Sequence, residues 1–247
     1  MHSDLTSRPG AWPREKANER PQFLEDKLRI PRSNFPVLRR RRVSGLIEQA
    51  TARHRVTLVC GPAGAGKTVA CATWAVEPRR RVVWLALDSG DQSSWFWAYV
   101  CAGLTRLRMA PPDALRSLED SSPGGFPLRL VEAAQVFAEP VTLVLDGVHE
   151  VTDKTVLAGL DLLIRHAPVR LRLLLSARQP PLLQLARLRA SGDLAEIGGQ
   201  DLACTAGEAD AYFAMLGNGV DVAARNELLR CTEGWMTGLR PALDLRP

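Results

Sequence analysis

The stretch Val56-Thr57-Leu58-Val59-Cys60-Gly61-Pro62-Ala63-Gly64-Ala65-Gly66-Lys67-Thr68 decides how the rest of the chain is read. Its first five residues form a short, nearly continuous apolar run, which is what a strand buried on both faces needs. Gly61, Pro62, Ala63, Gly64, Ala65, Gly66, Lys67 and Thr68 then fit the pattern G-x-x-x-x-G-K-[ST]. Glycines let the backbone turn tightly, so that successive N–H groups point into one concavity that suits phosphate. A helix opening near Gly66 adds the positive end of its dipole. All eight residues are expected to cradle phosphate. Lys67 should reach the β- and γ-phosphates, and the Thr68 hydroxyl should ligate Mg²⁺.

A phosphate loop needs a second acidic group to help hold the metal. It is expected at the end of an apolar strand beside the first one. Val141 to Leu145 followed by Asp146 has that form, which makes Asp146 the second metal-holding and cofactor-binding residue. Hydrolysis would also need a group that orients water. Glu150 and His149 lie just beyond the strand and are the candidates; the alternative for each is a helix cap or a surface side chain. Arg178 ends another apolar strand, Leu171 to Leu175 with Ser176 and Ala177. Strand ends in such sheets line the ligand crevice, so Arg178 is expected to sense a γ-phosphate, the alternative being a surface arginine before Pro180-Pro181.

Working outward, apolar runs at 82–87, 141–145, 171–175 and 194–197 read as further strands, and helices are expected over 43–53, 68–76, 94–108, 128–137 and 154–166. Residues 109–126 read as a loop with room for a short helix. Strands alternating with helices indicate an α/β fold with a mostly parallel five-stranded sheet. From residue 201 the pattern is all-helical, opened by the capping box Thr205-Ala206-Gly207-Glu208. The expected division is a disordered tail over 1–26, a P-loop nucleotide-binding domain over 27–200, and the start of a truncated helical, lid-type domain over 201–247. On the helix after residue 94, the spacing of Trp95 and Tyr99 points to a core face, the alternative being a partner surface formed by Trp95, Phe96 and Trp97.

With 46% hydrophobic and 24% charged residues, the 247-residue chain has ordinary globular composition, which excludes global disorder and collagen-like architecture. The net charge of +5 is unevenly placed. Residues 1–42 carry eleven basic and five acidic side chains; the remainder carries 21 and 22. A neutral body lacks the electrostatic footprint of a nucleic-acid-binding domain. Five cysteines at irregular spacing, with no C-x-x-C pair, read as buried reduced thiols of a cytoplasmic protein. No apolar stretch approaches the roughly 18 residues that would argue for a membrane span.

Taken together, these motifs resemble the N-terminal nucleotide-binding part of the large ATP-dependent LuxR-type transcriptional regulators of the maltose-regulon-activator type. These belong to the STAND class of P-loop, AAA-like ATPases. The resemblance covers about residues 27–243. It includes the lead-in Lys27 to Pro31 with Leu38 to Val43, the P-loop, Trp84 to Asp88, Leu143 to Glu150, Ser176 to Arg178, and Thr232 to Trp235 with Gly238-Leu239.

The resemblance implies an ATP/ADP-binding switch with Mg²⁺, with Arg39 to Arg42 at the edge of the nucleotide pocket and Arg40 among the cofactor-binding residues. It implies ATP-dependent self-association, and DNA contact only through an output domain absent from this chain. The family usually has a second Asp after the strand Asp, where this chain has Gly147. That departure implies slow or no hydrolysis, at most a slow switch-type ATPase, unless Glu150 substitutes. The rival functions are a small-molecule kinase on the same P-loop fold and a hydrolysis-dead interaction module.

Overall fold

The computed structural model describes residues 22–91, 93–108, 112–119, 121–122, 124–217 and 220–239. The tail expected over 1–26 lies outside the described residues as far as residue 21. From there the chain is helical, in α1 (Gln22–Lys27). The remaining elements are α2 (Arg41–Arg53), β1 (Val56–Cys60), α3 (Lys67–Ala75), β2 (Arg81–Ala86), α4 (Ser93–Leu107), α5 (Pro112–Glu119) and α6 (Phe126–Gln135). After these come β3 (Val141–Asp146), α7 (Lys154–His166), β4 (Leu171–Ala177), α8 (Ala186–Ser191), β5 (Leu194–Ile197), α9 (Gly199–Leu202), α10 (Ala206–Met215), α11 (Val222–Cys231) and α12 (Met236–Leu239).

All five strands run parallel in one sheet of order β2-β3-β4-β1-β5. The chain is therefore α/β with the expected five-stranded parallel sheet. The order corrects one expectation: β3, which carries Asp146, is not beside β1. β4 is inserted between them, pairing Val59 with Ser176 on one side and Asp146 with Ser176 on the other. Apolar runs identify strands but carry no information about which strand each crossover delivers its successor to.

Helices cover both faces, as a parallel sheet requires. On one face Val56, Leu58, Leu143, Leu145, Leu173 and Leu175 pack against Phe96, Trp97, Phe126 and Leu160 from α4, α6 and α7. On the other, Val59, Trp84, Val144 and Leu174 pack against Ile47 of α2 and Trp74 of α3. The alternation along each strand explains why the strands read as continuous apolar runs. A third cluster, with Ala209, Tyr212, Phe213 and Leu239, belongs to the helices after residue 201.

The face of α4 differs from expectation. Phe96 and Trp97 are fully buried while Trp95 is 37% exposed, and Tyr99 is buried as expected. The buried stripe thus runs through Phe96, Trp97, Val100 and Leu104, one residue on from Trp95. Cys231 likewise departs from the buried-thiol reading. It is exposed, because α11 lies on the outside and buries no residue, whereas Cys71, Cys101 and Cys204 are buried and Cys60 is half-buried. All five are free thiols. Among the described residues, no helix is long and apolar enough to cross a membrane.

Candidate functional site

The site is assembled at the C-terminal ends of three adjacent strands. β1 ends in the glycine-rich turn, and α3 begins at Lys67 immediately after it. β3 ends at Asp146 and β4 at Ala177. The Thr68 hydroxyl lies 2.9 and 3.0 Å from the two oxygens of the Asp146 carboxylate, although β4 separates their strands. A hydroxyl and a carboxylate converging in this way are hard oxygen donors, the set that suits Mg²⁺. The residues therefore fit the metal that the motif implies.

Lys67 is buried, and its Nζ donates to the carbonyls of Gly61 and Pro62 at 2.7 and 2.8 Å. Burial, reinforced by the nearby charge of Arg178, holds its pKa below the ordinary lysine value. Ala63, Gly64, Gly66, Lys67 and Thr68 line a cavity of about 440 Å³, within the usual size of small-molecule pockets. Ala65 is instead fully buried beneath the loop, where it joins the core on the α2–α3 face. Asp146, His149, Glu150 and Arg178 all line the same cavity, so the sequence-derived candidates are brought together.

Glu150 and His149 sit in a 3-10 turn, Val148–Glu150, opened by Gly147. His149 Nε2 is 3.2 Å from Glu150 Oε1 but out of hydrogen-bond alignment, so both ring nitrogens lack a hydrogen-bond partner. Burial lowers the imidazole pKa, and Arg178 and Lys67 add to that lowering against the opposing pull of Glu150. Gly147 has φ of 90°, in the left-handed region that side chains rarely adopt. A Cβ there would lie 3.0 Å from the Leu87 carbonyl oxygen. The missing second Asp is thus written into the backbone as well as the sequence.

Arg40 lines the cavity, but its guanidinium is committed elsewhere. It donates to Glu208 at 2.9 and 3.1 Å and to the carbonyls of Leu202 and Ala203 at 2.8 and 2.9 Å. Arg42 joins it on Glu208 at 3.2 Å and on the carbonyls of Asp201 and Ala203 at 2.7 and 2.8 Å. Burial alone would raise the Glu208 pKa, but these two arginines more than offset it and hold the carboxyl below the usual range. Glu208 also completes the expected capping box of α10 by accepting from the Thr205 N–H. Arg40 thus lies at the cavity edge, as expected, while Arg40 and Arg42 also fasten the start of α2 to the helical segment.

Sequence reasoning missed several lining residues: Phe35, Pro36 and Val37 from the arm, and Tyr212, Met236 and Thr237 from the helices. Thr237 Oγ1 donates to the Gly64 carbonyl at 2.6 Å, so α12 rests on the phosphate loop. Nothing local in the sequence marks that contact. Ser176 was named only within the stretch leading to Arg178 and given no role of its own, though a small polar side chain in the apolar run Leu171–Ala177 is a signal that could have singled it out.

The HTH-type transcriptional regulator MalT of Cronobacter sakazakii (strain ATCC BAA-894) is 31% identical over 230 residues, covering 88% of this chain and 25% of MalT. Over most of its length this chain is similar to one part of that regulator. The chain spans about a quarter of the length of that relative. No family model matches it. Among solved structures, the Walker-type ATPase PABY2304 of Pyrococcus abyssi aligns with a TM-score of 0.50 at 12% identity, over 86% of this chain and 71% of that one. This likeness shows the shared fold. PCH-2 of C. elegans aligns at a TM-score of only 0.35, with 16% identity over 73% of this chain and 47% of that one.

Proposed function

We propose that the cavity binds ATP and ADP with Mg²⁺, and that the chain is the nucleotide-dependent switch of a transcriptional regulator with slow or no hydrolysis. The observation that carries this reading is the convergence of Thr68 on Asp146 at the mouth of the glycine-rich loop. Thr68 and Asp146 would hold the metal, which supplies positive charge to neutralise the phosphates. Lys67 would exchange its loop carbonyls for β- and γ-phosphate oxygens. Arg178 would face the γ-phosphate, which is where two nucleotide states differ. Glu150 is the group available to orient water, and Gly147 supplies no second carboxylate. Residues 27–200 would form the nucleotide-binding domain and the helices after 201 its lid.

The transcriptional role is carried over from the regulator this chain resembles, as are ATP-dependent self-association and DNA contact through a separate output domain. A switch works only if the two nucleotides favour different states of the protein. The test is calorimetric titration with ATP and ADP, together with sedimentation in each nucleotide. Wild-type protein should bind both, and Lys67→Ala should lose most of that affinity. Unchanged affinity in Lys67→Ala would overturn the assignment. Equal oligomeric state with both nucleotides would overturn the switch.

A further inference from the structure

Ser176 is 2% exposed, in a strand whose neighbouring positions Leu173, Leu174, Leu175 and Ala177 are apolar. A hydroxyl buried there needs partners, and it has two. Ser176 Oγ donates to Asp146 Oδ1 and accepts from the Gly147 N–H at 3.2 Å. The same N–H also reaches the Ser176 carbonyl at 3.1 Å.

The strand order puts this residue between the two site groups. Asp146 belongs to β3 and Thr68 follows β1, and the β4 residue in register with both Asp146 and the β1 residue Val59 is Ser176. The Asp146 carboxylate has to reach across the end of β4 to meet Thr68. The residue at 176 sets both the room for that reach and the hydrogen bond that fixes the carboxylate. A branched apolar residue would fill the gap, and alanine would leave the carboxylate free to turn.

We infer that Ser176 is a positioning residue that holds the Asp146 carboxylate for a divalent cation shared with Thr68, and so sets the Mg²⁺ dependence of nucleotide binding. The inference rests on the nucleotide-binding reading above. Partners of this kind, one step behind a metal ligand, typically change metal affinity by about 10–100-fold when removed.

The experiment measures ADP affinity by calorimetry in EDTA and across a Mg²⁺ titration, for wild type, Ser176→Ala and Ser176→Thr, with Mn²⁺ paramagnetic resonance as a second readout. Ser176→Ala should raise the Mg²⁺ concentration for half-maximal effect by about tenfold, weaken Mn²⁺ in the ADP complex similarly, and leave affinity in EDTA unchanged. Ser176→Thr, which keeps the hydroxyl, should restore the Mg²⁺ response. Should the alanine variant fail to fold, Ser176→Cys keeps the shape with a weak donor and should show the same shift. A wild-type Mg²⁺ titration in a variant lacking the hydroxyl overturns the inference, as does equal loss of affinity with and without Mg²⁺. Wild-type protein that binds ADP in neither condition overturns the nucleotide reading itself, and this inference with it.

Discussion

The ammonium of Lys27 lies 2.6 Å from Asp91 Oδ1, with both side chains almost completely buried. Asp88 shares the same ammonium at 2.9 Å, and the ring of Tyr99 lies 5.5 Å beneath it. α1 is thereby tied to the loop after β2 by a cation that has given up water. Removing one partner of such a pair strands the other, which typically costs about 3–5 kcal/mol. Lys27→Ala should therefore lower stability by about 3 kcal/mol in urea unfolding. Lys27→Met combined with Asp91→Leu should recover much of it, because no buried charge is left unpaired.

The Glu208 clamp should be pH-dependent with a definite sign. Its carboxyl has a lowered pKa in the folded protein. The stabilisation is therefore fully present above the unfolded carboxylate pKa and is lost as pH falls through the lowered folded value. Comparing thermal midpoints of wild type and Glu208→Gln from neutral pH into acid should show the largest gap at neutral pH and a shrinking gap in acid. A gap that widens in acid would contradict the clamp.

Gly147→Asp recreates the second acid in sequence but should not create a working one. The substitution forces a side chain into a left-handed backbone, at roughly 1–2 kcal/mol, and against the Leu87 carbonyl. Stability should fall by about that amount, and ATP turnover should not rise. A clear gain in steady-state phosphate release would show that the turn can relax.

The contact between α12 and the loop gives a different test. At Gly64, with φ of 83°, a Cβ would lie 1.9 Å from Thr237 Oγ1. Gly64→Ala should push Thr237 away and raise amide hydrogen exchange over residues 232–239. Adding Thr237→Ala should relieve the collision while leaving the backbone strain, so exchange at 232–239 should fall partway back.

On α4 the two adjacent aromatics should behave oppositely. Phe96→Ala empties a fully buried position and should cost about 3–5 kcal/mol. Trp95→Ala, at a position 37% exposed, should cost well under half as much in the same denaturant series.

These residues also show what the sequence could and could not reveal. The strands were legible because burial on both faces demands unbroken apolar runs, and the loop was legible because its chemistry is local. The face of α4 was not, since Trp95, Phe96, Trp97, Tyr99 and Val100 make it apolar nearly all round, and periodicity cannot choose a side. Ser176 and Arg40 act through partners 30 and 168 residues away. Their roles depend on strand order and on how the last helices return to the arm, and neither is encoded by spacing.

Glu208 caps α10 and is gripped by Arg40 and Arg42 at once. Sequence order and mechanical order therefore disagree. Arg40 and Arg42 precede the phosphate loop, yet they are bolted to the helices that follow the sheet. A rearrangement that lifts α10 must break both arginine contacts to Glu208 together. Because α2 is itself packed on the sheet through Ile47, the clamp ties the helices after residue 201 to the sheet through a segment that precedes the phosphate loop.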